Sequence, residues 1–276
     1  MEINELRSKY PLKPCLKVLQ VSRNQYYYWR DRVKEYKDKK IKEAIREISE
    51  KYPYYGYRRI HVELKRQGIK INHKKTLRIY REMALQLPVR NKRPRKLSKE
   101  SFTKELTEAK IKNDVWAEDF LKSYLESGRG FRIYIAKDIK TRCIVGWKID
   151  YSIPSVDVIE VLKEAFKRNG KPRFIRSDNG PEFRANEMKR YLFNERVGQE
   201  FIESGKPYQN GYAETLIGKI KKEFFNRYRF DTIEEARKEF EEYVEYYNNE
   251  RPHQSLKYKT PKEVNSAYTN SLLIHV

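Results

Sequence analysis

Near residue 113 the apolar residues of this chain change period, and that change limits its architecture more than any single motif. Upstream, Ile41, Ile45 and Ile48 stand at i, i+4 and i+7, and Ile60 and Leu64 share one face of a second stretch, which is helical spacing. Downstream, Val115 to Tyr124, Phe131 to Lys137 and Cys143 to Tyr151 are strand-like runs in series, the first two separated by Ser127-Gly128-Arg129-Gly130. A helical front and a mixed back imply two domains, and 276 residues suffice for both.

In the front, Pro14 to Gln20 is a short apolar-periodic stretch, and Ser22 is placed to cap a helix from Arg23 to about Val33. Tyr26, Tyr27, Tyr28 and Trp29 lie on that helix among Arg23, Arg30 and Arg32. They fit a helix that reads a DNA groove, and equally a helix that packs its rings into a core. Further helices are expected over Lys37–Lys51, over Tyr55–Gln67 with Gly68 just past its end, and from Asn72, as cap, to about Met83. The outline is helix-turn-helix, although any small helical bundle has it too. Between Gln86 and Lys112 the apolar pattern lapses, and five cations fall within Arg90–Lys96, which marks a basic linker.

The back half continues with a helix over Ser155–Lys167, a strand over Arg173–Arg176, a helix near Ala185–Arg196 and a strand over Glu200–Glu203. Long helices over Gly211–Arg227 and Thr232–Asn248 close it. This order fits an α/β, ribonuclease-H-like fold. The expected layout is a helix-turn-helix-like segment at 1–35, an all-α helix-turn-helix module at 36–85 and a basic linker at 86–112. The ribonuclease-H-like domain at 113–265 and a tail at 266–276 follow.

Charge follows the same division. Residues 1–113 hold 32 Lys+Arg against 13 Asp+Glu, whereas residues 114–276 hold 29 against 26. Of the net +22, nearly all sits in the front, where a phosphate backbone would relieve the repulsion through counterion release. No apolar run is long enough to span a membrane, and Met1–Tyr10 lacks the apolar core of a secretory signal, so the expected location is cytoplasmic, with no membrane partner. Cys15 and Cys143 read as buried free thiols, and no Cys/His spacing suggests zinc.

Three carboxylates stand out. Alternation puts Asp119 on one face of the first strand with Val115, Ala117 and Leu121, while Glu118 shares the other with Trp116 and Phe120. Asp178 ends a short strand in Ser177-Asp178-Asn179-Gly180, and Glu182, four residues on, reads as solvent-facing. Glu214 begins a helix, with Gly218 and Lys221 following on its face at i+4 and i+7. Singly, each has an ordinary reading: an ion pair on a strand, a turn, an exposed first-turn glutamate. Together, carboxylates on three separate elements can converge on hard divalent cations.

The motifs around them resemble the integrase-like (OrfB-type) DDE transposases of the insertion-sequence-three family, relatives of retroviral integrases. Trp116-Ala117-Glu118-Asp119 is similar to that family's first catalytic block, Ser177 to Phe183 to its second, and Gly205 to Glu214 to its third. Tyr247 to Leu256, followed by Thr260-Pro261, is similar to its C-terminal signature, and Tyr55 to Ile60 with Asn72 to Thr76 to its helix-turn-helix module. Two departures are Leu121, where the family usually has threonine, and Gln209, where it often has aspartate.

The resemblance implies that Asp119, Asp178 and Glu214 are catalytic and bind metal, with two Mg2+ ions that Mn2+ can replace. It implies cleavage and strand transfer at insertion-sequence ends in a bacterial cell, on double-stranded DNA at the nucleoid. An upstream-frame protein or fusion that recognises the ends, and a homo-oligomer on DNA, are implied partners. Arg58, Arg59, Lys74, Lys75, Arg78, Arg93, Arg95 and Lys221 are the expected DNA contacts. Two other readings stand beside this one: a domesticated, non-catalytic DNA-binding protein, and a ribonuclease-H-like nuclease that does not join.

Overall fold

In the computed structural model, which describes residues 9–87, 106–203 and 211–273, the chain divides into two units, Met1–Arg93 and Pro94–Val276. Most of the expected linker, with Arg93 and Arg95, lies outside the described residues.

The first unit holds α1 (Leu12–Val18), α2 (Arg23–Lys51), α3 (Tyr57–Arg66) and α4 (His73–Glu82). Ser22 starts α2 with a reciprocal cap. Its Oγ accepts from the Gln25 amide at 3.1 Å, and its own amide donates to Gln25 Oε1 at 3.1 Å. The helices expected at Arg23–Val33 and Lys37–Lys51 are one helix, so the expected boundary at 35/36 falls inside α2. No Gly or Pro stands between Val33 and Lys37, and a lapse in apolar periodicity alone breaks no backbone hydrogen bond.

Gly68, at φ +78°, ends α3, with the Gly68 amide on Lys65 O and the Ile69 amide on Leu64 O. The Asn72 side chain accepts from the Lys74 amide at 2.9 Å and opens α4. Ile45, Ile48, Tyr52, Tyr55, Ile60, Leu64, Ile79 and Tyr80 are buried. The aromatic run divides: Tyr26 is buried, whereas Tyr28 and Trp29 are 56% and 60% exposed. A helix that packs on one side must leave two of four consecutive rings outside.

The second unit is built on five strands: β1 (Val115–Tyr124), β2 (Gly130–Asp138), β3 (Ile144–Asp150), β4 (Phe174–Ser177) and β5 (Gly198–Phe201). Their order is β3-β2-β1-β4-β5; β1, β2 and β3 pair antiparallel, while β4 lies parallel to both β1 and β5. Crossovers through α5 (Ser155–Asn169), and through α6 (Pro181–Arg184) and α7 (Asn186–Asn194), account for the parallel half. One face packs Trp116, Tyr134 and Ile175 against Val158, Leu162, Met188 and Leu192 of α5 and α7. The other packs Leu121, Ile133, Ile135 and Ile149 against α8 (Gly211–Ile220) and α9 (Ile233–Asn249).

The helix expected to run to Arg227 widens into a π turn over Lys221–Phe225, which the Asn226 amide closes onto Lys221 O at 2.8 Å. Inside that turn Glu223 is buried and gripped by the fully buried Arg251. Nε donates to Oε2 at 2.7 Å and Nη2 to Oε1 at 2.6 Å, while Nη1 meets His253 Nε2 at 3.1 Å. Asn248 bonds both backbone groups of Ile144, at 2.9 and 3.0 Å. The C-terminal signature is thus a clasp joining α9, the edge strand β3 and the π turn.

Residues 266–273, expected as tail, continue α10 (Pro261–Leu273). Thr260 caps that helix reciprocally with Glu263, a Thr-Pro-x-Glu signal readable in the sequence. Cys15 and Cys143 are free and buried.

Arg251→Ala leaves Glu223 buried without its cation and is expected to cost about 3–5 kcal/mol in urea unfolding. The apolar double replacement Arg251→Met/Glu223→Leu is expected to recover most of that loss. A single variant as stable as the parent would show that the pair contributes nothing.

Candidate active site

β1 carries two adjacent carboxylates whose side chains go to opposite faces. Asp119 faces the α8 side, where Val115 and Ala117 pack against Ala213 of α8, one residue before Glu214. Glu118 faces the α5 side, between the positions of Trp116 and Phe120. β1 pairs with β2 along its length and with β4 as far as Ala117, so Glu118 and Asp119 follow directly on the last residue paired to β4.

The segment after β4 explains its own sequence. The Asp178 carboxylate accepts from the Gly180 amide at 2.9 Å, closing an Asx turn at the strand's C-terminal end. Asn179 Nδ2 donates to Ile202 O at 2.8 Å and ties the turn to the end of β5. A Cβ on Gly180 would sit 3.0 Å from Asp178 Oδ1 and 3.3 Å from the Phe183 ring, so the turn favours glycine. Pro181 opens α6 where its missing N–H costs nothing. Phe183 is buried and stacks on Phe120, with centroids 5.2 Å apart. Glu182, expected to face solvent, instead pairs with Arg132 of β2 at 2.5 Å, and that guanidinium lies 4.2 Å above the Phe120 ring.

Asp178 and Glu214 both act electrostatically on Asp119. Burial, then the charges of Asp178 and Glu214, push the Asp119 carboxyl up to about 6, against the opposing pull of the Phe120 amide and Lys221. Lys221 is exposed at the head of the π turn, and Gly218 opens onto free space, leaving the helix face around Glu214 approachable. Two of the carboxylates are turned to local bonds: Asp119 Oδ1 accepts from the Phe120 amide at 2.7 Å, and Asp178 Oδ1 from Gly180. Among the described residues no three acidic, His or Cys side chains stand close enough to hold a metal ion as they lie.

Glu118 was given no role by sequence reasoning. It is fully buried, and Tyr134 Oη donates to its Oε2 at 2.6 Å. Burial first, then the charges of Asp178 and Asp119, raise it to about 8. The signal was present, since alternation along an otherwise apolar strand places Glu118 on a covered face.

In the first unit, Arg58 is exposed on α3, its Nε donating to Tyr57 Oη at 3.2 Å, and Arg59 lies over Tyr55. Lys74 is exposed in the first turn of α4. Lys75 and Arg78 both grip Asp38 of α2, at 2.6 and 2.7 Å, and Arg78 also pairs with Glu82.

A helical unit bearing exposed cations, and a mixed sheet with Asp119 within β1 and Asp178 just past the end of the neighbouring β4, are features of a DNA-binding protein with a polynucleotidyl-transferase core. Two integrase core domain models match residues 109–207 and 195–261, and an HTH-like domain model matches residues 35–93. The uncharacterized 31.7 kDa protein of insertion element IS407 from Burkholderia multivorans is 30% identical over 243 residues, 88% of this chain and 86% of that protein. The putative transposase InsK of insertion sequence element IS150 from Escherichia coli is 28% identical over 272 residues, 95% of each chain. In fold, the chain resembles the cryo-EM structure of a simian T-cell lymphotropic virus intasome in complex with PP2A regulatory subunit B56 gamma. That likeness has a TM-score of 0.51 at 14% identity and covers 78% of this chain and 72% of the other. The chain belongs to the integrase-core transposases of the insertion-sequence-three family, an enzyme family. No helix among its described residues is long and apolar enough to cross a membrane.

Because the folded-state value of Glu118 lies above its ordinary one, its protonation favours the fold. That contribution is complete below about pH 4.5 and is lost as pH rises toward about 8. In metal-free buffer, Glu118→Gln is therefore expected to exceed the parent in stability at pH 8 by on the order of 2 kcal/mol, with the gap closing by pH 4.5. Parallel stability–pH curves for the two proteins would contradict this.

Proposed function

We propose that Asp119, Asp178 and Glu214 are the catalytic carboxylates of this transposase, holding divalent metal, Mg2+ or Mn2+, for DNA cleavage and strand transfer at insertion-sequence ends. The observation that carries the reading is the position of Asp119, whose carboxyl lies within the field of both Asp178 and Glu214. A partly buried carboxylate with two exposed ones in electrostatic reach suits a hard cation, which would draw their oxygens together. The donors fit Mg2+, which binds through one or two carboxylates and keeps other positions for water and phosphate oxygens. Asp119 and Asp178 each keep one oxygen beyond its local amide bond.

When bound, two such ions supply activation of the attacking hydroxyl and stabilisation of the leaving oxygen. The chain's own residues do the positioning. β1 fixes Asp119, the Asx turn and Asn179 fix Asp178, and α8 fixes Glu214. Lys221, exposed and within electrostatic reach of Asp119, is suited to a phosphate beside the carboxylates.

Within the first unit, Arg58, Arg59 and Lys74 carry the DNA-contact proposal best. Lys75 and Arg78 would have to exchange the Asp38 carboxylate for a phosphate. Arg93 and Arg95 remain part of the proposal on charge alone. The layout proposed for the whole chain is a helix-turn-helix region, a basic linker and the catalytic core. An upstream-frame partner, assembly into an oligomer on DNA, and a cytoplasmic, nucleoid-associated location complete the reading.

Incubated with a terminal-repeat duplex and Mg2+, the parent chain is expected to yield joined products, and Asp178→Asn none above background while still binding the duplex. Cleavage without joining would favour a nuclease, and binding alone a non-catalytic DNA-binding protein. For the first unit, Arg58→Gln/Arg59→Gln is expected to flatten the dependence of log affinity on log salt by about 0.9 for each phosphate that is no longer neutralised. An unchanged slope would remove those two residues from the interface.

A further inference from the structure

Beyond Leu121 the β1–β2 hairpin leaves the apolar layers. Lys122, Tyr124 and the turn from Glu126 to Gly130 are exposed, while Leu125 and Phe131 stay buried in the cluster formed with α9. Pleat alternation sends Lys122 and Tyr124 to the face that bears Phe120, and their ladder partners Arg132 and Gly130 share it. A groove of about 320 Å3 opens there, with Lys122, Tyr124, Arg132 and Tyr151 in its wall, and none of the residues lining it is acidic.

Two cations at this groove face no acid. Residues 114–276 are nearly neutral, with 29 Lys+Arg against 26 Asp+Glu, so an excess of positive charge here is a local feature. Lys122 and Arg129 pair with no carboxylate among the described residues. The Arg129 guanidinium instead lies 3.6 Å from the ring centroid of Tyr151. Nearby carboxylates are engaged elsewhere: Glu126 with Arg229 at 3.6 Å, Asp150 with Arg237 at 2.9 Å and with the Tyr151 amide at 2.8 Å, and Glu182 with Arg132.

Tyr124 is 66% exposed yet held in place. A Cβ on Gly130 would sit 3.4 Å from its ring, so the ring rests on the glycine backbone across the ladder. Two exposed cations and a placed phenol, whose hydroxyl is a donor, match the sugar–phosphate backbone of a nucleic acid.

The groove is joined to the candidate active site by the chain itself. Lys122 stands three residues past Asp119, about 10 Å along β1, which is about three nucleotide rises of a DNA strand. Arg132 is held by Glu182, four residues past Asp178, and Phe183 beside it stacks on Phe120.

We propose that the tip of the β1–β2 hairpin is a DNA-backbone-binding surface of the second unit, on which Lys122 and Arg129 take phosphates and Tyr124 lies along the same strand. The proposal rests on the DNA-joining reading for why DNA comes to this unit. It places phosphate contacts outside the helical unit, on residues that hold no metal and move no proton.

The test is duplex affinity of the full chain in EDTA, read by fluorescence anisotropy across a range of NaCl concentrations, on a terminal-repeat duplex and on an unrelated one. Lys122→Gln and Arg129→Gln are each expected to flatten the log–log salt slope by about 0.9, and the double variant by about 1.8. Lys189→Gln removes an equally exposed cation on α7 and is expected to keep the parent slope. Flattening on both duplexes supports a hold on any DNA backbone, and flattening on the repeat alone supports a hold on the transposon end. Parental slopes in the double variant on both duplexes overturn the proposal. Equal flattening by Lys189→Gln also overturns it, because the slope then reports overall charge and not a contact. Binding in EDTA needs no joining: a chain that shows these slope changes but joins no ends keeps this surface and loses the catalytic reading. A chain that joins ends while the double variant keeps the parent slope does the reverse, and a parent chain that binds no duplex overturns both.

Discussion

β1 is the constraint from which the second unit follows. It pairs with β2 and β4 and is covered on both faces over Val115–Leu121, so the pleat assigns each side chain there to one layer or the other. Placing Glu118 and Asp119 consecutively on such a strand sends one carboxylate into each layer. One is met by Tyr134 Oη and its proton is held tightly; the other emerges at the α8 face among the charges of Asp178, Glu214 and Lys221. A one-residue slip in register would exchange them, taking Asp119 off the face on which α8 carries Glu214.

Around that strand, positioning is done by backbone bonds more than by salt links. Asp178 is set by the Gly180 amide, Asn179 by Ile202 O, and Gly180 by the closeness of the Asp178 carboxylate itself. Farther out, the Arg251–Glu223 pair lies in the α9 layer, where an uncompensated charge would be strongly destabilising. It holds the π turn, and the head of that turn is Lys221, the cation whose field reaches Asp119. A signature some 30 residues downstream in the chain is thereby coupled to the region where the carboxylates meet.

The first unit makes a different use of charge. Its excess of cations is partly spent internally, with Asp38 linking α2 to Lys75 and Arg78 of α4 and held below the usual aspartate range, first by its bond to Lys75. Arg58 and Lys74, exposed on α3 and α4, are not drawn into that link. Charge counted along a sequence therefore overstates the charge a helical unit can offer to a phosphate backbone.

Much was determined by the sequence alone. The change of apolar period, the caps at Ser22, Gly68 and Asn72, the five strands and the face of β1 that bears Asp119 all follow from local rules of spacing and capping, which act over a few residues. The motif spacing pointed to the family, and Asp119, Asp178 and Glu214 stand out within those motifs.

Other features needed tertiary contacts between residues far apart in the chain. The continuity of α2 through residues 33–37 is invisible to an apolar pattern, because a helix is carried by its backbone hydrogen bonds and not by apolar spacing. The pairing of Glu182 with Arg132, the burial of Glu118 under Tyr134, the clasp of Arg251 on Glu223 and the gathering of Lys122, Arg132 and Tyr151 around one groove join side chains that no spacing relates. Desolvation is the physical reason. Whether a charge is worth a proton, a partner or a ligand depends on what excludes water from it, and only the folded layers decide that.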